Sequence, residues 1–278
     1  MMTHHEEFFE ARDGLRLFEQ SWLPDCAPRG TVALIHGVTE HSGRYARLAE
    51  DLNRRGYALC AMDLRGHGRS DGPRLWVRRF DQYLDDAELF LERVSTRHPA
   101  RPVFLLGHSM GGAVVALLAA TRSPDVQGVV LSAPAIWIGG NVYPVLRRLA
   151  ALVSWVWPTL RVTHLGCRFL SRDPAVVEAF RNDPLVFHGR FPVRLGDEIL
   201  RAARRIQENA ARVTLPVLAL HGTGDFVTDP RGCRLLVSRA RSDDKTLRLY
   251  EGLYHDLFNE PERDQIVADL LDWLDGHR

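Results

Sequence analysis

The stretch "PVFLLGHSMGGAVVALLAA", residues 102–120, decides the fold. Its first half is a short continuous apolar run of the kind that is buried on both faces of a parallel sheet. Its second half, from Met110, is an apolar segment of helix length. Between them stands Gly-x-Ser-x-Gly. Glycine on either side permits a strand-to-helix turn tight enough to hold the Ser109 hydroxyl proud of the sheet. Five letters alone would equally describe a glycine-rich turn with an incidental serine. The flanking strand and helix make the pattern a nucleophile elbow, with Ser109 as the candidate nucleophile.

The same alternation extends in both directions. "EEFFEA" and "LRLFEQSWL", joined by the Asp-Gly turn of "RDG", predict an opening β-hairpin. From "TVALIH" onward, apolar runs alternate with helix-length amphipathic segments. "TVALIH" precedes a helix near 43–55, "YALCAMD" one near 80–97, and the elbow strand one over 110–122. "VQGVVLSAP", "PVLALHG" and "KTLRLYEG" supply further strands, with helices near 230–240 and 261–275. This order predicts an α/β-hydrolase type of architecture: a mostly parallel sheet, an antiparallel N-terminal hairpin and helices on both faces. Residues 135–212 contain helical and irregular sequence and no convincing strand. The expected organisation is therefore a core formed by 1–134 and 213–278, with 135–212 as a helical cap inserted between two strands.

The 278 residues are 45% apolar and 26% charged, and 36 basic residues face 35 acidic ones. So balanced a charge gives no support to a nucleic-acid partner. The four cysteines (Cys26, Cys60, Cys167, Cys233) form no Cys-x-x-Cys pair, and Cys60 sits in an apolar run as a small core residue would. The N-terminal "MMTHHEEFFEARDG" is polar and acidic, without the pattern of a signal peptide. A cytoplasmic protein is expected, with no metal-ligand spacing and no required cofactor.

In an open α/β sheet, ligands bind at the carboxyl ends of the strands, so the residues after each apolar run carry the candidates. A serine nucleophile needs a base, and the base needs an orienting carboxylate, in the chain order Ser, acid, His for this architecture. "VLALHGTGDFVTDP" offers Asp225 just past a strand, with Asp229 as a rival whose position before Pro230 suits helix capping. His255 in "LYEGLYHDLF" follows the last strand and is the candidate base. His36, His67, His108 and His221 also lie at strand ends, so proximity alone does not choose among them. For the oxyanion of a tetrahedral intermediate, the elbow supplies the Met110 N–H. The loop "HGVTEHSGRY" supplies a second donor, the N–H of Val38, with His36 and Gly37 shaping the loop.

Six segments carry a resemblance. "HGVTEHSGRY" at 36–45, "DLRGHGRSDG" at 63–72, "GHSMGG" at 107–112, "SRDPAVVEAFRNDPLV" at 171–186, "HGTGDFVTDP" at 221–230 and "YHDLFNE" at 254–260 resemble the monoacylglycerol lipase group of α/β-hydrolases. That group is related to lysophospholipases and some serine aminopeptidases. The resemblance implies Ser109, Asp225 and His255 as a triad, Val38 and Met110 as oxyanion donors, and a monoacylglycerol as substrate. It also implies that Glu40 and Arg44 build the polar end where a glycerol head group sits, although a structural ion pair fixing the loop would use the same residues. Asp63, Arg65 and His67 read as loop architecture beside the site. Several members carry a small residue where this chain has Val38, and a valine narrows the acyl-binding mouth without removing the N–H. A lysophospholipase or a broad carboxylesterase is the alternative, followed by a serine aminopeptidase or a non-catalytic ligand-binding protein. Haloalkane dehalogenation and epoxide hydrolysis use a carboxylate nucleophile, which Ser109 is not.

The oiliest stretch, "VYPVLRRLAALVSWVWPTL" at 142–160, falls inside the expected cap. Roughly fourteen residues between its prolines, at ~1.5 Å each, fall short of the ~30 Å bilayer core, so no transmembrane span is expected. As a helix it places Val145, Leu149, Leu152, Val153 and Val156 on one face and Arg147, Ser154 and Trp155 on the other. The expectation is a lid helix whose apolar face, through Leu149 and Val153, lines an acyl tunnel. Trp155 completes the substrate-binding candidates, and with the arginines it could also touch a membrane surface.

Overall fold

The computed structural model describes residues 2–97, 101–138, 152–163 and 166–278. In chain order its strands are β1 (Thr3–Glu10), β2 (Arg16–Leu23), β3 (Gly30–Ile35), β4 (Tyr57–Met62), β5 (Val103–His108) and β6 (Gly128–Ser132). Then come β7 (Arg161–Thr163), β8 (Phe191–Pro192), β9 (Val217–Gly222) and β10 (Lys245–Tyr250). The α-helices are α1 (Ala46–Arg54), α2 (Asp81–Arg97), α3 (Met110–Thr121), α4 (Pro174–Asn182), α5 (Val193–Asn209), α6 (Arg231–Arg239) and α7 (Arg263–Gly276).

Eight strands form one sheet in the order β1-β2-β4-β3-β5-β6-β9-β10. β1, β2 and β4 pair antiparallel, and every other neighbour is parallel. The side-chain period of two divides each central strand between two cores. Ala33 and Ile35, Val103 and Leu105, Val129 and Leu131, and Val217 and Ala219 join α2, α3, α5 and α6 in one cluster. Their alternates Val32 and Leu34, Phe104 and Leu106, Val130, and Leu218 and Leu220 pack with α1 and α7 in the other. This is why the strands read as unbroken apolar runs: both faces are covered. Helix α3 is buried from Met110 to Ala120, and its apolar character all round the axis matches that position.

The hairpin and the core elements fall where the sequence puts them. Two differences lie between β6 and β9. First, β7 and β8 form a separate two-stranded antiparallel pair where no strand was expected. They span three and two residues, too few for any periodicity to register. Second, residues 152–156 of the oily stretch are turned differently from the wheel's expectation. Residues 152–156 are helical, but Leu152 is 57% and Val156 67% exposed while Ser154 is fully buried. The Ser154 hydroxyl accepts a 3.3 Å hydrogen bond from Arg194 on α5, which turns the small polar side chain inward and leaves apolar neighbours outside. Trp155 is exposed, as its assigned face requires, and Val153 is half-buried. Val145, Leu146, Arg147, Arg148 and Leu149 lie outside the described residues. Among the described residues, no helix is long and apolar enough to cross a membrane.

Candidate active site

The parallel strands all end on one edge of the sheet, and four of the loops beyond them build the site. The tightest is the turn after β5. Ser109 adopts φ 53° and ψ −116°, a conformation that costs a non-glycine residue energy and is held here by its surroundings. Its N–H donates to the Ser132 carbonyl at 2.9 Å, and its own carbonyl accepts from Ala113 and Ala135. The flanking glycines are required by close approach. A methyl on Gly107 would sit 2.4 Å from the Gly111 carbonyl oxygen, and one on Gly111 would sit 2.1 Å from that of Ile35. Any side chain at these positions would push α3 off the sheet.

The loops after β9 and β10 bring the other candidates to Ser109. His255 Nε2 lies 2.8 Å from Ser109 Oγ, and His255 Nδ1 lies 2.7 Å from Asp225 Oδ2. All three side chains are nearly inaccessible to solvent. Asp225 is saturated with donors. Its Oδ1 accepts from the amides of Val227 at 2.7 Å and Thr228 at 3.0 Å. Its Oδ2 faces His255, the Thr228 hydroxyl at 2.9 Å and His221 Nε2 at 3.2 Å. Burial alone would raise the Asp225 carboxyl pKa, but the charges and hydrogen bonds of His255 and His221 hold it far below the ordinary value. Burial likewise works to lower His255, yet the charge and hydrogen bond of Asp225, with Asp256 and Glu40 behind, leave it above the ordinary imidazole value. The rival Asp229 spends its oxygens on the Arg231 amide and guanidinium at the start of α6.

The loop after β3 is braced from within. Glu40 Oε1 accepts from the Gly37 amide at 2.6 Å and the Tyr45 hydroxyl at 2.9 Å, while Oε2 lies 3.4 Å from Arg44. Arg44 in turn donates to Asp256 Oδ2 at 2.7 Å and lies over the Phe180 ring. Glu40 and Arg44 therefore spend their polar atoms on the protein, the arrangement of a structural ion pair. His36 donates through Nδ1 to the Gly37 carbonyl and accepts at Nε2 from the Leu64 amide. Burial lowers its pKa and keeps it neutral for that purpose. Among the described residues, the amides of Val38 and Met110 have no hydrogen-bond partner. In the 63–72 segment, Asp63 accepts from Ser42 and Arg69, and Arg65 is shared between Asp86 and Asp13. These contacts tie loops together. Among the described residues, no group of three or more His, Cys, Asp or Glu side chains is arranged to hold a metal ion.

Sequence reasoning gave no role to Thr228, or to His221 beyond its place at a strand end. Both flank Asp225 closely, at i+3 and i−4, and that spacing within "HGTGDFVT" is the one signal that could have found them.

The family model described as "Serine aminopeptidase, S33" matches residues 26–262. A monoacylglycerol lipase of Mycolicibacterium smegmatis is 37% identical over 99% of this chain and 98% of its own length. The human monoglyceride lipase is 37% identical over 94% of this chain and 88% of its own. The chain belongs to the monoacylglycerol lipase family of α/β-hydrolases. Among solved structures, the Paleococcus ferrophilus monoacylglycerol lipase covers the whole of both chains at 32% identity and a TM-score of 0.83. A soluble variant of the Saccharomyces cerevisiae monoglyceride lipase with a substrate analogue superposes with a TM-score of 0.88 at 26% identity, over 98% of this chain and 94% of the other. Members of the family are carboxylic ester hydrolases, and this chain is one.

Proposed function

We propose that this lipase-family chain cleaves monoacylglycerols to a fatty acid and glycerol through an acyl-enzyme. The observation that carries the reading is the continuous contact Ser109 Oγ–His255 Nε2–His255 Nδ1–Asp225 Oδ2, with the serine held in its strained turn. Ser109 Oγ attacks the ester carbonyl carbon as its proton passes to His255 Nε2. The carbonyl oxygen, now an anion, lies between the N–H groups of Val38 and Met110. Collapse breaks the bond to the glycerol oxygen, which takes the proton back from His255 and departs. Water then repeats the sequence on the acyl-serine, with His255 as base and then as acid, and releases the fatty acid. Asp225 holds the proton on Nδ1, so that Nε2 presents a lone pair to the serine.

Residues 135–212 act in this reading as a cap over the strand ends, with the half-buried Val153 toward the acyl chain. Leu152, Trp155, Val156 and Trp157 are all exposed on or beside one helical turn, which supports contact between this face and a lipid surface. The test is a substrate panel on the wild type and Ser109→Ala: monoacylglycerols of several lengths, lysophosphatidylcholine, diacylglycerols, short aryl esters and aminoacyl amides. Monoacylglycerol should be the preferred substrate, with turnover and fluorophosphonate labelling lost together in Ser109→Ala. A preference for the amides, or equal labelling of Ser109→Ala, would overturn the reading.

A further inference from the structure

The buried end of the triad does not stop at Asp225. His221, the fifth residue of β9, is fully buried and lies on the far side of the same carboxylate oxygen that His255 uses. We infer that His221 is a fourth, positioning member of this site, its tautomer fixed by the Cys233 thiol, and that it sets how strongly Asp225 holds His255. The inference rests on the ester-hydrolase reading above and deepens it.

The proton's location follows from the partners. His221 Nε2 faces two acceptors, Asp225 Oδ2 at 3.2 Å and the Thr228 carbonyl at 3.4 Å, while the Thr228 hydroxyl, 3.3 Å from the same nitrogen, gives its own hydrogen to Asp225 Oδ2 at 2.9 Å. A bare lone pair there would oppose both, so Nε2 carries the hydrogen. Nδ1 is then the acceptor, and the group beside it is Cys233 Sγ at 3.3 Å. Cys233 is fully buried on α6, and burial with the nearby Asp225 charge pushes its thiol well above the ordinary value. It therefore stays an S–H donor. The result is one directed chain, Cys233 to His221 to Asp225, with His255 donating to the same oxygen from the other side. A carboxylate shared in this way gives less of its charge to each partner. His221 thus limits how tightly the site holds a proton on His255, which must be neutral to accept one from Ser109. The other ionisable groups facing this set are Glu40, Asp256 and His108 around His255, and Asp229 near His221. None lies between His221 and Asp225.

His221→Leu removes the donor, His221→Gln keeps an N–H near its place, and Cys233→Val and Cys233→Ser remove and keep the donor to Nδ1. Each is assayed on a short aryl ester, with active sites counted by fluorophosphonate titration. For His221→Leu, kcat should fall about tenfold, the size of one hydrogen bond to a charged group, with KM little changed. Its acid limb of kcat/KM should move to higher pH by about half a unit, since the unshared carboxylate holds His255 protonated more firmly. The far-downfield His255 Nδ1–H proton resonance should move with it. His221→Gln should recover most of the rate, and Cys233→Val should shift the limb in the same sense while Cys233→Ser does not. An unmoved limb and resonance in titratable His221→Leu would overturn the inference and leave His221 a packing residue. Should His221→Leu fail to fold, identical profiles for Cys233→Val, Cys233→Ser and the wild type would overturn it equally. Failure of the underlying reading shows separately, as a wild type that neither labels nor cleaves the ester.

Discussion

Replacing Asp225 by asparagine changes one atom and inverts the hydrogen-bond logic of the site. The side chain has an oxygen and an NH2 to place. Oδ1 accepts from two backbone amides, Val227 at 2.7 Å and Thr228 at 3.0 Å, and these N–H groups are fixed donors. The amide oxygen must take that position, which puts the NH2 where Oδ2 was. There it meets the ring N–H of His255, once 2.7 Å from an acceptor, and that of His221. His255 relieves the conflict by moving its proton to Nε2, so the nitrogen 2.8 Å from Ser109 Oγ becomes a donor instead of a base. Loss of the base in this way costs about 10³–10⁴ in kcat, or roughly 4–5.5 kcal/mol of barrier. The assay is kcat on a short aryl ester, normalised to folded protein by circular dichroism and thermal melting. The fold should survive, because the backbone amides keep their acceptor. A folded Asp225→Asn within about tenfold of the wild type would refute the reasoning. So would a variant that is inactive only because it is unfolded.

Four further outcomes follow from the same contacts. Because His255 is raised above the ordinary imidazole value and must be neutral to act, kcat/KM should fall as the pH is lowered through a midpoint above about 6.5. A midpoint below that value would contradict the Asp225 pairing. Gly111→Ala forces a methyl to 2.1 Å from a backbone oxygen that has no freedom to move aside. It should cost about 3 kcal/mol at the upper end of the overpacking range, seen as a lower urea midpoint. Asp86→Asn leaves the buried Arg65 with only the half-exposed Asp13 as a charged partner and should destabilise by about 3 kcal/mol, again by urea titration. Trp155→Ser should reduce co-sedimentation with anionic lipid vesicles, and equal vesicle binding would remove the lipid-facing role.

The core was legible because its physics is local and periodic. A strand covered on both faces must be apolar at every position, and β3, β4, β5, β6 and β9 are buried throughout. The elbow was legible because only glycine fits beside Ser109. Helix α5 aside, whose Leu195, Ile199, Ala202 and Ile206 pack on the main core, much of the region between β6 and β9 was not, because it is tied down by single contacts. Ser154 turns inward for one hydrogen bond to Arg194, forty residues away. Phe187 N–H reaches the Thr39 carbonyl, and Asp183 meets His41 at 2.9 Å. No periodicity in either partner announces such pairs. Within 152–156 a helical wheel puts Leu152 and Val156 inward, and the bond from Arg194 to Ser154 turns the segment the other way.

The choice among the histidines shows most clearly what the sequence withholds. His36, His67, His108 and His255 all stand at strand ends and all are buried, so burial penalises the charged form of each. In His36, His67 and His108 burial prevails: each is lowered, His67 to about 3. His36 uses its neutrality to donate to one carbonyl and accept one amide, and His108 lies against the His255 ring at 4.8 Å, where a second positive charge would be costly. Only His255 among the four has a carboxylate directly on a ring nitrogen, and only there does the attraction exceed the burial cost. A catalytic histidine must be able to take up and release a proton near neutrality, and the other three have been deprived of that by their surroundings. His221 shares that carboxylate, but its other ring nitrogen faces Cys233 whereas that of His255 faces Ser109, so what selects the base is a carboxylate thirty residues away together with the serine on the opposite nitrogen. The letters H and D do not carry that information; the strand order does.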